Sequence, residues 1–357
     1  MLYKEDWDKA KERLEALWER EVIDRCCVAA WAPREGCVCP AEDPPESEAD
    51  LFKYYLDGEW LLERHLKQFA NTFYGGESFP CIWPNFGTAG HAKYMKGSKY
   101  HFAKDTIWYE AVIGDYGKNP LEYDPQGILA LEQKTLAYLA AQGMGKFFVA
   151  MPDNAGILDA LAHLRGTDNL LFDLIDEPEG VKNACRIIMA AFRQSCNELY
   201  DILKPNNEGG STHGWMYTWS QGRHAHLQVD FSVMISPEMY EEFALPELAE
   251  LTEWFDYSTY HLDGREQVRH LEMILSLKGL NMIQWTPVAG QPPTSDFLPV
   301  LQKIQKAGKG LVLFPRIWEI EKLMSGLSSR GLYLIVKDIA SEAEAREIVK
   351  NVSRWTK

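Results

Sequence analysis

The sequence predicts an α/β fold, specifically a TIM-type (β/α)8 barrel with an amino-terminal helical extension. The first observation is a regular alternation of short apolar runs and longer helical segments from about residue 79 onward, which is typical of βαβ units. The second is the length of 357 residues, which fits one barrel with insertions. The third is that the sequence contains no glycine-rich nucleotide-binding motif, which disfavours a doubly wound sheet.

The chain is predicted to form one domain over residues 1–357. Residues 79–357 would form the main barrel, and residues 1–78 a helical extension plus the first strand. The apolar residues of segment 4–21 are spaced as in an amphipathic helix. The β-rich run 26–31 then supplies the first strand candidate.

The strand candidates number nine, one more than a closed (β/α)8 barrel requires. They lie at 26–31, 79–85, 146–152, 214–219, 225–231, 257–262, 280–286, 310–315 and 332–336. Helical segments are predicted at 47–73, 126–142, 178–203, 237–254, 265–277, 294–307, 317–326 and 341–354. One strand candidate is therefore expected to form a hairpin or to lie outside the barrel.

Composition and charge restrict the class of protein. The net charge of −15, with no cluster of Lys and Arg, argues against nucleic-acid binding. No apolar run reaches the roughly 18 residues of a membrane span, and the first residues do not resemble a signal peptide. The seven cysteines predict reduced thiols. A Cys37-x-Cys39 pair lacks a second pair at zinc-site spacing. We therefore expect a cytoplasmic protein with no membrane partner.

The segment Tyr260-His261-Leu262-Asp263-Gly264 carries the sharpest candidate site. His261 and Asp263 are spaced i, i+2 at the end of a predicted strand, so their side chains project to the same side. In a (β/α)8 barrel, the carboxyl ends of the strands form the active site. Such a pair can bind a divalent cation or act as a base with its orienting acid. Alternatively, His261 is buried and bonded to Asp263 for structural reasons.

Other predicted strands also end in polar residues, which we expect to bind substrate or to take part in catalysis. Asp230 is the second catalytic candidate, and its alternative role is a helix cap near Ser236. The remaining polar candidates for substrate binding are Asn85, Asp153, Gln284, Arg316 and Glu319.

Aromatic residues are the third feature, and six of them are candidates for substrate binding: Trp31, Trp215, Tyr217, Trp219, Tyr260 and Trp285. Trp215, Tyr217 and Trp219 alternate, which predicts that they share one face of a strand. At the mouth of a cleft, such rings could hold a flat or cationic ligand or stack on a sugar. Alternatively, they fill the core.

Three further histidines receive different interpretations. His224 and His226 alternate just before an apolar run, which favours surface or structural roles. His91 follows Gly87-Thr88-Ala89-Gly90, which predicts a flexible loop that could close over a ligand.

Two segments resemble the uroporphyrinogen decarboxylase superfamily. Residues 230–246 begin with Asp230, continue with an Ile-Ser-Pro helix start and end with Phe-x-x-Pro, as in that superfamily. Residues 164–181 are similar to its decarboxylase-like branch, through Leu-Arg-Gly at the start and Pro-Glu-Gly-Val at the end. The order of strands, helices and loops agrees from about residue 80 to the end of the sequence.

The resemblance implies a TIM-type barrel with a deep cleft. The superfamily contains porphyrinogen decarboxylases and zinc-dependent methyltransferases that pass methyl groups to or from corrinoid proteins or thiols. The decarboxylases carry an Arg-Gln-Ala-Gly-Arg-Tyr motif, whereas residues 30–36 retain only Arg34, which argues against tetrapyrrole decarboxylation. His261 and Asp263 occupy the place of the methyltransferases' His-x-Cys zinc ligands, with Asp replacing Cys. Near the later cysteine ligand this chain has Lys337 and Asp338.

Three functions follow from these observations. The first is a methyltransferase acting on a small methylated substrate, with a corrinoid protein as partner and a divalent metal such as zinc at His261 and Asp263. The second is a lyase or hydrolase, a decarboxylase or a carbohydrate-active enzyme, with Asp230, Asp263 or Glu319 as acid and base. The third is a non-catalytic binding barrel. A homodimer is compatible with each of them.

Overall fold

A computed structural model describes residues 1–37, 43–118 and 121–357, so Cys39 lies outside the described residues. The helices are α1 Trp7–Trp18, α2 Glu48–Leu56, α3 Gly58–Asn71, α4 Ile128–Gly143, α5 Ile157–Arg165, α6 Thr167–Asp176, α7 Pro178–Leu203, α8 Pro237–Phe243, α9 Leu245–Trp254, α10 Leu271–Ser276, α11 Leu298–Lys306, α12 Ile320–Gly326 and α13 Glu342–Trp355. The strands are β1 Cys27–Pro33, β2 Thr72–Gly76, β3 Cys81–Ile82, β4 Lys99–Phe102, β5 Ile107–Glu110, β6 Phe148–Val149, β7 Ser211–His213, β8 Thr218–Ser220, β9 His224–Leu227, β10 Tyr257–Asp263, β11 Met282–Thr286, β12 Gly310–Leu313 and β13 Leu332–Val336.

The centre of the molecule is a seven-stranded sheet in the order β2-β1-β13-β12-β11-β10-β9. All neighbours in this sheet are parallel except β1 and β2, which are antiparallel. Strand β3 pairs in parallel with β6, and an isolated parallel bridge joins Met151 to His213 of β7. The described residues therefore form a mixed α/β fold around a mostly parallel sheet, and their pairings do not close into a ring.

Alternate residues of the parallel strands pack into two different cores. One set, which includes Tyr260 and Trp285, belongs to the large apolar cluster formed with the surrounding helices. The other set, which includes Cys27 and Met282, packs against the tryptophans and leucines of α1. Cys27 and Met282 are the first residues of β1 and β11, so α1 covers the amino ends of these strands. The carboxyl ends of the same face are left for polar side chains.

The strand candidate 214–219 is wrong in its bounds. The chain forms β7, then a turn in which Tyr217 has φ of +49°, and then β8, which pairs with β7 in an antiparallel hairpin. Gly214 begins this turn, and a Cβ at this position would lie 2.1 Å from Cγ of Trp83, so only glycine fits. Because the chain turns here, the prediction that Trp215, Tyr217 and Trp219 share one strand face is also wrong.

The helix predicted over 237–254 is divided into α8 and α9. Pro246 lies in the first turn of α9, where its missing N–H costs no helical hydrogen bond. The hydroxyl of Ser236 accepts a hydrogen bond from the backbone N–H of Met239 at 3.2 Å, so Ser236 caps α8. Asp230 begins a separate 3₁₀ turn over Asp230–Met234 and is not this cap.

No helix within the described parts of the chain is both long enough and apolar enough to cross a membrane.

His91 and His224 are buried, which corrects the open loop expected for His91 and, of the surface or structural role expected for His224, leaves the structural one. His91 lies in a 3₁₀ helix over Gly90–Tyr94, with its ring 5.1 Å from that of Phe192, and is not part of an open loop. His224 begins β9, and both of its ring nitrogens are hydrogen-bonded. The sequence reasoning missed this because the burial comes from helices that are distant in sequence.

Acidification is expected to destabilise the fold through these two histidines. Burial lowers the pKa of His91 and that of His224 each to about 3, so the folded protein resists protonation that the unfolded chain accepts near pH 6.5. The contribution of the two neutral histidines to the free energy of unfolding is complete above pH 6.5 and is lost as the pH falls toward 3. Each histidine contributes about 1.4 kcal/mol per pH unit, so the pair gives about 3 kcal/mol per unit.

Urea unfolding at pH 7.5, 6 and 5 measures this effect. His224→Gln should reduce the pH dependence by up to about 1.4 kcal/mol per pH unit, because one proton-linked group is removed. A free energy of unfolding that is constant from pH 7.5 to 5 would contradict the expectation.

Candidate functional site

The carboxyl end of β10 places His261 and Asp263 on one face, as the i, i+2 spacing predicts. Gln284 of β11 is the register partner of His261, and its Oε1 accepts a hydrogen bond from His261 Nδ1. With Nδ1 donating, the lone pair of His261 lies on Nε2, which is 4.0 Å from Oδ1 of Asp263. A neutral imidazole held in this way is oriented to bind an electrophile or cation.

Asp230 joins this pair from the 3₁₀ turn that follows β9. Each of the three side chains of Asp230, His261 and Asp263 offers one atom that could bind a metal, and these three atoms lie within 4.8 Å of one another. The Asp230 Oδ2 accepts a hydrogen bond of 3.0 Å from Gln228 Nε2. The turn itself is held by Asp159 of α5, whose carboxylate accepts the backbone N–H of Asp230 at 3.0 Å. We refer to Asp230, His261 and Asp263 as the outer cluster.

Crowded carboxyl groups give the outer cluster unusual electrostatics. Burial raises the pKa of Asp230 to about 8, and the neighbouring carboxylates of Asp159, Asp263 and Asp153 add to the rise. Burial also raises the pKa of Asp159, although backbone hydrogen bonds oppose it. Several carboxyl groups in a low-dielectric site repel each other, and a cation would relieve this repulsion.

Asp153, His213 and His226 form a second group, which we call the inner cluster. Their donor atoms also lie within 4.8 Å of one another, and all three side chains are buried. Gln228 links the two clusters, since its Oε1 lies 3.1 Å from His226 Nε2 while its Nε2 bonds Asp230.

Of the two roles expected for His226, surface or structural, the surface role is wrong. Although β9 is an edge strand of the sheet, His226 is buried, and the ring of His213 from β7 lies 4.3 Å from its ring. His213 was missed, because the strand candidate began one residue after it. The local sequence offers one signal for His213, which is that it precedes Trp215 by two residues.

Trp215 forms a wall shared by both clusters. Its ring centroid lies 5.2 Å from that of His261, 5.5 Å from His226 and 5.6 Å from His213. The ring of Phe314 stacks on it at 6.2 Å.

Tyr217 and Trp31 pack together near this wall with ring centroids 4.4 Å apart. Lys337 places its Nζ 4.9 Å from the Phe314 ring, and burial lowers the pKa of Lys337. Of the predicted aromatic candidates, Trp215 therefore contacts the cluster histidines directly. Tyr217, with Trp31 against it, is linked to Phe314 through Lys337, whose Nζ lies 5.8 Å from the Tyr217 ring.

Three other aromatic candidates face away from the clusters. Tyr260 and Trp285 have the opposite strand parity to His261 and Gln284, so they point into the core beneath the helices. Trp219 packs against Trp7 of α1 with ring centroids 6.0 Å apart, on the side of the amino ends. In each case the side chain is fully buried and fills the core.

Arg316, Glu319 and Asn85 are also separate from the clusters. The Glu319 carboxylate accepts the backbone N–H groups of Ser295 and Arg316, both at 2.8 Å, so it stabilises a turn. The Arg316 side chain is 71% exposed and pairs with Asp338. Asn85 accepts the N–H of Gly87 and lines a different cavity. Glu319 therefore lacks the free carboxylate that an acid or base needs.

A cavity of about 590 Å³ opens beside Asp230 and is large enough for a small molecule. Its lining includes Asp159, Gln228 and the stacked rings of Tyr109 and His163, whose centroids are 4.5 Å apart. Sequence reasoning missed Tyr109 and His163, because they come from β5 and α5 rather than from strand ends.

Comparison with known proteins bears on the fold. No protein-family model matches the chain, and no curated protein matches its sequence. Among solved structures, a methyltransferase from Methanosarcina mazei matches with a TM-score of 0.59 and 10% sequence identity. The match covers 97% of this chain and 98% of that one. At this identity, the match shows that the two chains share a fold.

Proposed function

We propose that this protein is a methyltransferase of the uroporphyrinogen decarboxylase superfamily, built on a (β/α)8 barrel. It would take a methyl group from a small methylated substrate and pass it to a corrinoid protein. His261 and Asp263, with Asp230 beside them, would hold a divalent metal such as zinc. The observation that carries the proposal is that donor atoms of these three residues converge within 4.8 Å. A methyltransferase fold over nearly the whole chain supports it.

The outer cluster fits a cation in three respects. His261 keeps Nε2 free because Nδ1 is bonded to Gln284. The Asp230 Oδ1 is buried without a hydrogen-bond partner among the described residues. The surrounding carboxyl groups favour positive charge. When bound, the cation would supply a Lewis acid that stabilises negative charge on the leaving atom.

The same residues indicate a substrate class. A set of one imidazole and carboxylates is harder than the His-x-Cys set, so it favours an oxygen atom over a sulfur atom. In the proposed reaction the carbon–oxygen bond of the methyl donor breaks, and the methyl group passes to a cobalt(I) corrinoid, whose electron pair forms the new bond. The oxygen leaves as an oxyanion and takes a proton. Trp215 and the cavity beside Asp230 would bind and orient the donor.

A lyase or hydrolase is the alternative, favoured by one observation. The crowding that raises the pKa of Asp230 to about 8 is typical of carboxyl groups that exchange protons. Asp230 and Asp263 would then be the acid and base, and Glu319 would take no part.

Metal removal is expected to abolish methyl transfer. The chelator-treated protein should consume cob(I)alamin about 1000-fold more slowly than the zinc-reloaded protein, since a Lewis acid contributes several kcal/mol. The assay follows cob(I)alamin absorbance with methanol, methoxybenzene, methylamine and dimethyl sulfide as methyl donors. Asp263→Asn should behave like the metal-free protein, and Asp296→Asn, at an exposed ion pair, like wild type.

Two outcomes would reject the proposal. One is no methyl transfer from any donor with the zinc-loaded protein. The other is equal rates with and without metal. Release of carbon dioxide from carboxylated substrates, with no methyl transfer, would favour the alternative.

A further inference from the structure

We propose that the inner cluster of Asp153, His213 and His226 is a second site for a divalent transition metal such as zinc. The three side chains come from the loop that follows β6, from β7 and from β9, which are brought together by the fold. The residues are 7%, 2% and 1% exposed, respectively. Their donor atoms converge within 4.8 Å, and none of them belongs to the outer cluster.

His213 is the first reason for assigning a ligand here. Both of its ring nitrogens are buried without a hydrogen-bond partner in the described residues. Leaving a buried polar atom unsatisfied costs about 1–3 kcal/mol, so an orphaned imidazole needs an explanation. His224, also buried, offers the contrast, since Ser211 bonds its Nδ1 and Thr218 its Nε2, both at 2.9 Å.

The contact between His226 and Asp153 is the second reason. His226 Nε2 lies 2.9 Å from Asp153 Oδ1, yet this oxygen has no aligned hydrogen-bond donor. The two atoms are close without being directed at each other. Two ligand atoms of one tetrahedral zinc ion lie about 3.3 Å apart without a hydrogen bond between them, so the separation of these two atoms is compatible with a shared metal.

The donor chemistry identifies the ion. Two imidazoles and one carboxylate are typical of zinc sites with three protein ligands, and imidazole disfavours calcium and magnesium. The Oε1 of Gln228 accepts a hydrogen bond from His226 Nε2 at 3.1 Å, so binding of the metal at this nitrogen requires its proton to move to Nδ1.

Zinc stoichiometry tests this site. The full chain is stripped with chelator, dialysed against micromolar zinc and measured by metal analysis. His213→Gln should hold one equivalent fewer than wild type. His224→Gln is the matched control, a buried histidine outside the cluster, and should hold as much as wild type. Asp263→Asn should lose only the metal of the outer cluster.

X-ray absorption of zinc-loaded Asp263→Asn gives a second measurement that needs no change in the inner cluster. It should show two imidazoles per zinc and no sulfur. Equal zinc in wild type and His213→Gln, or fewer than two imidazoles in Asp263→Asn, would overturn the assignment. If His213→Gln does not fold, the absorption spectrum decides. These measurements do not depend on methyl transfer, so failure of the proposed reaction leaves them conclusive.

Discussion

Replacing His261 by alanine is expected to lower kcat/KM for methyl transfer by about 1000-fold. His261 supplies the one imidazole of the outer cluster, and its removal takes away the free Nε2 that would bind the metal. The loss corresponds to about 4 kcal/mol of transition-state stabilisation. The assay is cob(I)alamin consumption with the most active methyl donor, together with zinc content.

Substitution of Gln284 is expected to lower the activity less than His261→Ala does. It positions His261 through Nδ1 and does not itself belong to either cluster. Residues that orient metal ligands typically contribute 10–100-fold to affinity or activity, so Gln284→Leu should fall by about that factor. Gln284→Glu, which keeps an acceptor oxygen, should recover part of the loss. Full activity in His261→Ala would show that the reaction occurs elsewhere.

Replacing Glu77 by alanine is expected to reduce the free energy of unfolding by about 3–5 kcal/mol. The Glu77 side chain is fully buried and accepts hydrogen bonds from Arg25 at 2.6 and 2.7 Å and from the backbone N–H of Val28 at 2.8 Å. Removing the carboxylate leaves the Arg25 guanidinium charged and buried without its main partner. A broken buried pair is costly because the remaining charge is not solvated.

An exposed ion pair is the control for this effect. Lys96 and Glu122 are 3.1 Å apart, and both side chains are about two-thirds exposed. Lys96→Ala should change stability by less than about 1 kcal/mol. Chemical denaturation of both variants gives the comparison. Equal stability of Glu77→Ala and wild type would mean that the buried pair does not stabilise the fold.

Local patterns predicted most helices and strands because these patterns repeat within a few residues, but α5 and α6 were not predicted. The 3.6-residue spacing gave α7 its bounds of 178–203, and apolar runs located β10 to β13. The hairpin of β7 and β8 depends on a left-handed residue, Tyr217, which no apolar pattern indicates. Strand β2 pairs with β1 in antiparallel orientation at the edge of the sheet. This pairing partner lies elsewhere in the sequence, so the local pattern of β2 does not indicate a strand.

The candidate site could be predicted only along single strands. Spacing alone placed His261 and Asp263 on one face, as the structure has them. The contact between His261 and Gln284 follows from the register of β10 and β11, which depends on the whole sheet. The inner cluster combines Asp153 with His213 and His226, which lie 60 and 73 positions later in the chain, so no local spacing could reveal it.

The pairing of β1 with β13 has a consequence for the chain as it is synthesised. Cys26 bonds through its thiol to the carbonyl of Leu332, 306 positions later, and β1 has only β2 on its other edge. At about 5–20 residues per second, on the order of 15–60 s separate the two partners on the ribosome. During this interval the apolar strand β1 has an open edge, which is a template for wrong pairing. A nascent chain of this protein therefore exposes this edge of β1 until β13 has emerged.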